Sequence, residues 1–156
     1  MVFAGGGTGG HIYPALAVAQ ALEKRHPGLE VVFIGTGSPF ERRVVEGHGF
    51  RLMRVSSRGF LGRSVFAKAG ALFWTGVGLI QSLRTLWELK PQAVVGVGGF
   101  SSGPVMGAAI LLRIPTMIQE QNYSPGLANR ILARWVDRIA VSFEETKEFL
   151  GDRGEV

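Results

Sequence analysis

The first segment that could do chemistry is Gly5–His11, which follows the apolar residues Val2–Ala4 and holds five glycines. Glycine is required where backbone N–H groups must approach a ligand closely, and a helix that starts here adds partial positive charge. Phosphate is the anion that best fits such a loop. The alternative is a tight strand-to-helix turn without a ligand, although such a turn requires fewer glycines.

The residues around this loop limit which phosphate compound it would bind. Gly5, Gly7 and Gly10 satisfy the G-x-G-x-x-G pattern of dinucleotide-binding loops, which is a weak signal by itself. The second predicted strand ends at residues 33–38 without the acidic residue that holds a ribose in that class, which disfavours a nicotinamide-dependent oxidoreductase. A P-loop is also disfavoured, because His11 stands where Gly-Lys-Ser/Thr is required.

Two further segments are expected at the same place in the fold. Residues 96–104 form a second glycine-rich loop, and residues 119–126 carry one carboxylate and three amides. Loops that follow parallel strands meet at one edge of the sheet, and the first and fourth strands flank the point where strand order reverses. We therefore expect a crevice suited to a pyrophosphate beside a polar surface suited to a sugar. For the third segment, a polar loop that caps the following helix is the simpler alternative.

His11 and Glu120 are the side chains near this crevice that could move a proton. An unperturbed histidine changes charge near neutral pH, whereas a carboxylate is usually ionised there and is a weak base. His11 could instead cap the helix or contact phosphate, and the sequence leaves these roles open. Asp137 and Asp152 are the only aspartates, so no D-x-D pair is present to hold Mg²⁺, and no His/Cys cluster indicates zinc. We expect neither a metal ion nor another cofactor.

The loops must be positioned by short apolar runs that alternate with longer helical patterns. Runs such as Val31–Ile34 are apolar on both faces, as strands of a covered parallel sheet are. Six strands are predicted at Met1–Ala4, Glu30–Gly35, Arg51–Val55, Gln92–Gly96, Thr116–Gln119 and Arg138–Val141. Six helices are predicted at Tyr13–Arg25, Phe40–His48, Ser64–Lys90, Gly103–Leu112, Pro125–Ala133 and Glu144–Leu150. This order predicts an α/β fold with a doubly wound, Rossmann-like parallel sheet.

Length and composition indicate one folded domain over residues 1–156. The chain is 46% hydrophobic and 19% charged, which is too apolar for a disordered protein. It contains no cysteine, which excludes a disulfide framework and a thiolate site. Because a strand is predicted at residue 1 and a linker-like segment after Leu150, we expect one half of a larger protein.

The net charge of +5 is concentrated in one region and indicates an anionic partner. In residues 42–84, Glu46 is the only acid, against the basic residues Arg42, Arg43, Arg51, Arg54, Arg58, Arg63, Lys68 and Arg84. A solvated basic face is the alternative explanation. Nucleic acid is disfavoured as the partner, because the basic residues lie beside apolar ones and form no known module.

Bulky apolar side chains lie among these basic residues and favour contact with an anionic membrane surface. The predicted membrane patch consists of Arg63, Phe66, Lys68, Phe73, Trp74 and Trp87. The uncharged run 69–83 is too short for a membrane span. The helical stripe expected to face the core comprises Phe66, Gly70, Phe73, Val77 and Ile80, whereas Leu72, Leu79 and Leu83 are expected to lie off it. Burial of all these apolar side chains in the core is the alternative.

Three motifs together resemble those of a known family. Residues 6–17 read GGTGGHIYPALA, residues 98–104 read GGFSSGP, and Glu120-Gln121-Asn122 is followed by Pro125-Gly126 and Asn129. In order and spacing, across essentially the whole chain, they resemble the N-terminal domain of the MurG family of glycosyltransferases. The resemblance implies the N-terminal half of a two-domain enzyme of the GT-B type.

The family reaction implied is an inverting transfer of N-acetylglucosamine that converts lipid I to lipid II in peptidoglycan synthesis. In this family an acceptor sugar hydroxyl attacks the anomeric carbon of the donor as UDP leaves. The N-terminal domain binds undecaprenyl-pyrophosphoryl-muramyl-pentapeptide, and a C-terminal domain, to which nothing here corresponds, holds most of UDP-N-acetylglucosamine. The resemblance also implies a peripheral protein at the cytoplasmic face of the bacterial inner membrane.

The matched motifs carry the family's functional positions onto this chain. They imply a role near the acceptor for His11, and donor contacts for Thr8, Gly9, Gly10 and Asn122. Glu120 is a second catalytic candidate because of its carboxylate and its place at the crevice. Further substrate-binding positions are Gly98, Gly99, Ser101, Gly103 and Asn129. Gln119 and Phe100 stand where the family usually has histidine and tyrosine, so a proton-exchanging ring and a hydroxyl are missing there.

A function of another class is also compatible with the sequence. The chain would then be a non-catalytic half that binds the acceptor lipid and recruits a separate catalytic chain, as in split sugar transferases of the dolichol pathway. In either case we expect little transferase activity from this chain by itself, because positioning of both substrates supplies much of the rate.

Overall fold

The computed structural model describes residues 1–57, 65–151 and 154–156, and leaves the side chains of residues 65–69 and 71–72 undescribed. The strands are β1 (Val2–Gly5), β2 (Val32–Gly35), β3 (Arg51–Arg54), β4 (Val94–Gly98), β5 (Thr116–Glu120) and β6 (Arg138–Val141). The helices are α1 (Gly9–Arg25), α2 (Pro39–Gly47), α3 (Val65–Leu89), α4 (Ser102–Leu111), α5 (Leu127–Leu132) and α6 (Thr146–Phe149). All predicted elements are confirmed. The largest difference is that α1 begins at Gly9 rather than Tyr13.

The strands form one parallel sheet in the order β3-β2-β1-β4-β5-β6. Val2 of β1 lies in register with Val32 of β2 on one side and with Val94 of β4 on the other. The order therefore reverses between β1 and β4, which confirms the doubly wound arrangement. In such a sheet the crevice for a ligand opens beyond the carboxyl ends of the two central strands.

The sheet is covered on both faces because alternate strand residues point to opposite sides. Val2 and Ala4 belong to a core cluster with residues of α4 and α5, whereas Phe3 belongs to a second cluster with residues of α1 and α2. The Phe3 and Phe33 rings stack in this second cluster, with their centroids 5.3 Å apart. Two packed layers therefore fix the strands, and with them the loops at their carboxyl ends.

Helix α3 buries a different face from the one predicted. Ser82 and Leu86 are buried, and Leu79 and Leu83 pack against the core. The physical reason is close backbone packing, since a Cβ added at Gly78 would overlap the carbonyl oxygen of Ser56.

The opposite face of α3 carries apolar side chains outside the core. Phe73, Ile80 and Trp87 are 66%, 70% and 69% exposed and follow one another at seven-residue spacing. The prediction that Phe73 and Ile80 face the core was therefore wrong. The prediction that Leu79 and Leu83 lie off the core-facing stripe was wrong as well. Within the described part of the chain, no helix is both long and apolar enough to cross a membrane.

Candidate active site

The two glycine loops meet at the carboxyl ends of β1 and β4, as the sequence predicts. Gly5 lies in register with Gly98, and the Gly6 N–H donates to the Gly98 carbonyl oxygen over 3.3 Å. A Cβ added at Gly5 would overlap the Gly98 oxygen, and one added at Gly99 would overlap the Gly6 oxygen. Gly5 and Gly99 are therefore needed because the two backbones touch, whether or not a ligand is bound.

Alanine at Gly99 is expected to destabilise the chain by about 3 kcal/mol, because a side chain there meets backbone and the residue has φ of +79°. Chemical denaturation with a tryptophan fluorescence readout measures the change. Gly47→Ala is the matched control, since a Cβ at Gly47 meets no atom within 4 Å. Equal midpoints for the two variants would contradict the backbone contact.

Beneath the first loop lies a buried carboxylate that the sequence did not predict. Glu41 Oε1 accepts the Gly7 N–H over 2.8 Å, and Oε2 accepts the Thr36 hydroxyl over 2.8 Å and the Ser38 N–H over 3.1 Å. The pattern Ser38-x-x-Glu41 was a usable signal for a capping box at the start of α2. The contact with Gly7, which is 34 residues distant, has no local signal. The Gly7 N–H is thus satisfied internally.

In the first loop, the backbone N–H groups that face no acceptor lie two and three residues after Gly7, at the N-terminus of α1. Thr8 is the N-cap residue, but its side chain makes no capping hydrogen bond, and the first turn holds no acidic residue. Within the described ranges, the N–H groups of Gly9 and Gly10 have no acceptor. Thr8 and Gly10 are exposed and Gly9 is half-buried. An anion at this edge would therefore meet free N–H groups at the positive end of a long helix.

His11 lies in the first turn of this helix and joins the loops together. Its half-buried ring packs so closely on the second loop that a Cβ added at Gly98 would be 2.9 Å from Cε1. Its Nδ1 atom is 2.8 Å from Nε2 of Gln121, which follows β5. The structure thus brings His11 to the third predicted segment, 110 residues further along the chain. Sequence reasoning included Gln121 in that segment without assigning it a role.

Glu120 is fully buried at the end of β5, and its carboxylate is saturated with donors. Oε1 accepts the Asn122 N–H over 3.0 Å and the Asn122 side-chain amide over 2.9 Å. Oε2 accepts the Gly126 N–H over 3.1 Å and the Asn129 amide over 3.0 Å. A carboxylate so engaged holds the 121–126 loop in shape. Its predicted catalytic role gains no support from this geometry.

The other predicted binding residues divide into exposed and buried groups. Asn122 is exposed, and Gly99 and Gly103 are half-buried. Gly98, Ser101 and Asn129 are buried, so in this conformation they lie beneath the surface that a ligand would contact. The Asn129 side-chain amide donates to the Glu120 carboxylate, and the Ser101 hydroxyl has no hydrogen-bond partner among the described residues.

Aromatic side chains border the open end of the first loop. Phe100 is 42% exposed, and its ring is 3.6 Å from a Cβ added at Gly7. Tyr13 is 54% exposed, and its ring is 3.2 Å from a Cβ added at Gly9. The backbone of Phe100 is held in place, because its carbonyl oxygen accepts the Ser57 hydroxyl over 2.8 Å. Flat apolar faces of this kind can pack against a sugar ring or a base.

Two surface depressions of the described residues lie at the opposite edge of the sheet. One is lined by Met1, Glu30 and Gln92, and the other by Thr116 and Trp135, all near the amino ends of strands. Neither depression contains a residue of the glycine loops. The candidate site is placed at the carboxyl edge because the exposed donors and His11 converge there, as ligand sites do in this architecture.

Comparison with known sequences shows the family of the chain. The family profile described as the glycosyltransferase family 28 N-terminal domain matches residues 1–141. A UDP-N-acetylglucosamine--N-acetylmuramyl-(pentapeptide) pyrophosphoryl-undecaprenol N-acetylglucosamine transferase of Bdellovibrio bacteriovorus is 47% identical over 150 residues, which is 96% of this chain and 42% of that protein. The protein of the same name from Halothermothrix orenii is 48% identical over 93% of this chain and 38% of its own. The chain thus spans about two fifths of these relatives.

Comparison with solved structures gives the same fold. The crystal structure of Acinetobacter baumannii MurG superposes with a TM-score of 0.81 at 34% identity, over 93% of this chain and 42% of that one. A UDP-GlcNAc 2-epimerase from Neisseria meningitidis, bound to UDP-GlcNAc, superposes with a TM-score of 0.68 over 99% of this chain and 44% of that one. At 15% identity, this second likeness concerns the fold alone.

Proposed function

Because the chain belongs to the glycosyltransferase family 28 N-terminal domain family, we propose that it is the acceptor-binding half of an inverting N-acetylglucosaminyltransferase. The acceptor is undecaprenyl-pyrophosphoryl-muramyl-pentapeptide (lipid I), the donor is UDP-N-acetylglucosamine, and the product is lipid II. The observation that carries this proposal is the convergence at one sheet edge of His11, the open N-terminus of α1 and the Gln121 amide. Most donor contacts come from the C-terminal domain of a whole enzyme.

His11 is the general base of this proposed reaction. It takes the proton from the attacking hydroxyl of the acceptor sugar while that oxygen forms a bond to the anomeric carbon of the donor. The bond from that carbon to the diphosphate of UDP breaks on the opposite face, and inversion follows. Glu120 does not act on the substrate but holds the 121–126 loop, because its oxygens are already occupied by four donors.

The negative charge of the diphosphate of a bound substrate is stabilised by the N-terminus of α1 rather than by a metal ion. The free N–H groups of Gly9 and Gly10 and the helix dipole supply positive potential there. The residues that the structure describes contain no cluster of three or more His, Cys, Asp or Glu side chains that could hold a metal. We therefore propose a metal-independent transfer.

Aspartate in place of Thr8 tests this diphosphate site. Thr8 has extended N-cap geometry without a side-chain hydrogen bond, so Thr8→Asp is expected to stabilise the helix by about 0.5 kcal/mol. The same negative charge is expected to weaken binding of a soluble pyrophosphoryl-muramyl-peptide analogue by at least about tenfold. Calorimetry measures the affinity, and thermal unfolding measures the stability.

Gln20→Glu is the matched control, because it adds one negative charge at an exposed position of the same helix far from the loop. It is expected to leave the affinity unchanged. UDP is titrated separately, and tighter binding of UDP than of the muramyl analogue would assign the site to the donor. Undiminished binding of both the analogue and UDP by Thr8→Asp would contradict a diphosphate at this position.

The same proposal includes peripheral binding to the cytoplasmic face of the bacterial inner membrane. The exposed side chains Phe73, Ile80 and Trp87 form a stripe along α3 that we call the α3 stripe. Trp74 is half-buried and packs edge-on against Phe73. Of the remaining predicted patch, Arg63 lies outside the described residues, as do the side chains of Phe66 and Lys68. An apolar stripe on a helix that follows a basic segment of the sequence suits an anionic lipid surface.

Removing the α3 stripe with the triple change to serine at Phe73, Ile80 and Trp87 is expected to weaken binding to anionic vesicles by at least about tenfold, because each side chain loses apolar contact with lipid. Sedimentation with vesicles that contain anionic phospholipid measures this, and added salt should weaken wild-type binding. Trp135→Ser is the matched control, as Trp135 is 59% exposed on another surface. Salt-independent absence of wild-type binding would contradict the membrane contact.

A further inference from the structure

Gln121 is the side chain that contacts the proposed base. Within the described residues, the hydrogen bonds of the His11 ring consist of the 2.8 Å contact between Nδ1 and the Gln121 amide. A neutral imidazole can donate or accept at Nδ1, and an amide can present either its oxygen or its nitrogen. The tautomer of His11 is therefore coupled to the direction of the Gln121 amide.

Nothing else in the described part of the chain fixes the direction of this amide. The neighbouring Asn129 provides a contrast, because its Nδ2 faces two acceptors, the Glu120 carboxylate at 3.0 Å and the Gln119 carbonyl at 3.5 Å. In the direction in which Gln121 is placed, its Nε2 faces His11, and its Oε1 is buried without a hydrogen-bond partner among the described residues. Turning the amide gives that oxygen a partner, since Nδ1 can carry a proton.

The proposed reaction requires the turned amide. When the ring takes a proton at Nε2, both nitrogens carry hydrogen, and Nδ1–H must meet an acceptor. An amide NH₂ opposite it would place two donors together, whereas the amide oxygen would stabilise the imidazolium that forms. Only the direction with the oxygen towards Nδ1 suits the ring both before and after proton transfer, so no reorganisation is needed during the reaction.

We propose that Gln121 is a positioning residue whose Oε1 accepts Nδ1–H of His11, which leaves Nε2 unprotonated and able to take the proton of the acceptor hydroxyl. This inference rests on the proposed function. The carboxylates of Glu41, which accepts the Gly7 N–H, and of Glu120, which accepts the Asn129 amide, are unchanged in the variants used in the test.

The test is the tautomer of His11, measured by long-range ¹H–¹⁵N NMR on this chain. A pH titration followed in the same spectra gives the pH at which the ring is neutral, and the tautomer is measured there. We expect the proton on Nδ1 in the wild-type chain. Gln121→Ala should move most of it to Nε2 or give a mixture, whereas Gln121→Glu, whose carboxylate can only accept, should keep it on Nδ1. Gln20→Ala, at an exposed position of α1, should change nothing. A wild-type ring with its proton on Nε2 would overturn the proposal.

A kinetic measurement separates this inference from the proposed function. For the chain joined to the C-terminal part of a family relative, Gln121→Ala is expected to lower kcat by about tenfold or more with little change in KM for the acceptor, and Gln121→Glu to recover part of the loss. An unchanged kcat for Gln121→Ala would overturn the positioning role even if His11 is the base. If the joined chain transfers no N-acetylglucosamine, the proposed function fails. If it does and His11→Gln leaves kcat unchanged, the assignment of His11 as the base fails, and the NMR result still reports which atom Gln121 presents.

Discussion

Replacing His11 with glutamine is expected to lower the kcat of glycosyl transfer by about 100- to 10,000-fold, the usual contribution of a positioned general base. The side chain keeps a polar end but cannot take up a proton near neutral pH. Binding of the acceptor analogue should change little, because the free N–H groups at Gly9 and Gly10 are retained. The measurement is initial-rate kinetics with a soluble lipid I analogue and the chain joined to the C-terminal part of a family relative.

His26→Gln is the matched control for this prediction. It is the same change at the other end of the same helix, where His26 is exposed. We expect wild-type kcat from it. If His11→Gln instead raises KM tenfold at constant kcat, the ring contacts substrate without acting as a base. A rate close to that of the wild type would contradict both roles.

Replacing Glu120 with alanine is expected to destabilise the fold by about 4 kcal/mol, because four donors lose the buried carboxylate that accepts from them. Four donors converge on this carboxylate, from Asn122, Gly126 and Asn129. Water can enter and accept hydrogen bonds from some of these donors, so the loss in free energy of unfolding is smaller than the sum of four lost hydrogen bonds. Urea unfolding followed by circular dichroism measures the free energy of unfolding. The control is Glu23→Ala at an exposed position of α1, which should change it by less than about 0.5 kcal/mol.

Glu120→Gln distinguishes a supporting residue from a catalytic one. Glutamine keeps the volume but turns one acceptor into a donor that faces other donors, so we expect a loss of stability here too. A catalytic carboxylate would show the reverse pattern, with a stable fold and a large loss of kcat. The same logic applies to Glu41, which accepts three hydrogen bonds below the first loop.

Much of the architecture follows from the sequence alone. Apolar runs such as Val31–Ile34 can be satisfied only with both faces covered, and the helices between them force parallel crossovers. Once that order is known, the loops after the first, fourth and fifth strands must meet at one edge. The segments that carry His11, Gly98 and Glu120 were therefore placed correctly before any contact was known.

The roles of individual side chains at that edge were decided by tertiary structure. Glu120 is predicted as a possible base because a carboxylate follows a strand, but its four donors are evident only in the folded chain. The prediction that Phe73 and Ile80 face the core was wrong because apolar residues lie on more than one face of α3, so periodicity could not select one. Close packing of Gly78 on Ser56 selects it.

The sequence by itself determined which residues lie in strands, helices and glycine loops, because hydrophobic period and glycine conformation act over a few neighbouring residues. Tertiary structure alone joined Glu41 to Gly7 and Gln121 to His11, across 34 and 110 residues. Such contacts form only where packing brings two distant elements of the chain to within hydrogen-bond distance of each other. Local propensity carries no information about those distances, and packing sets them.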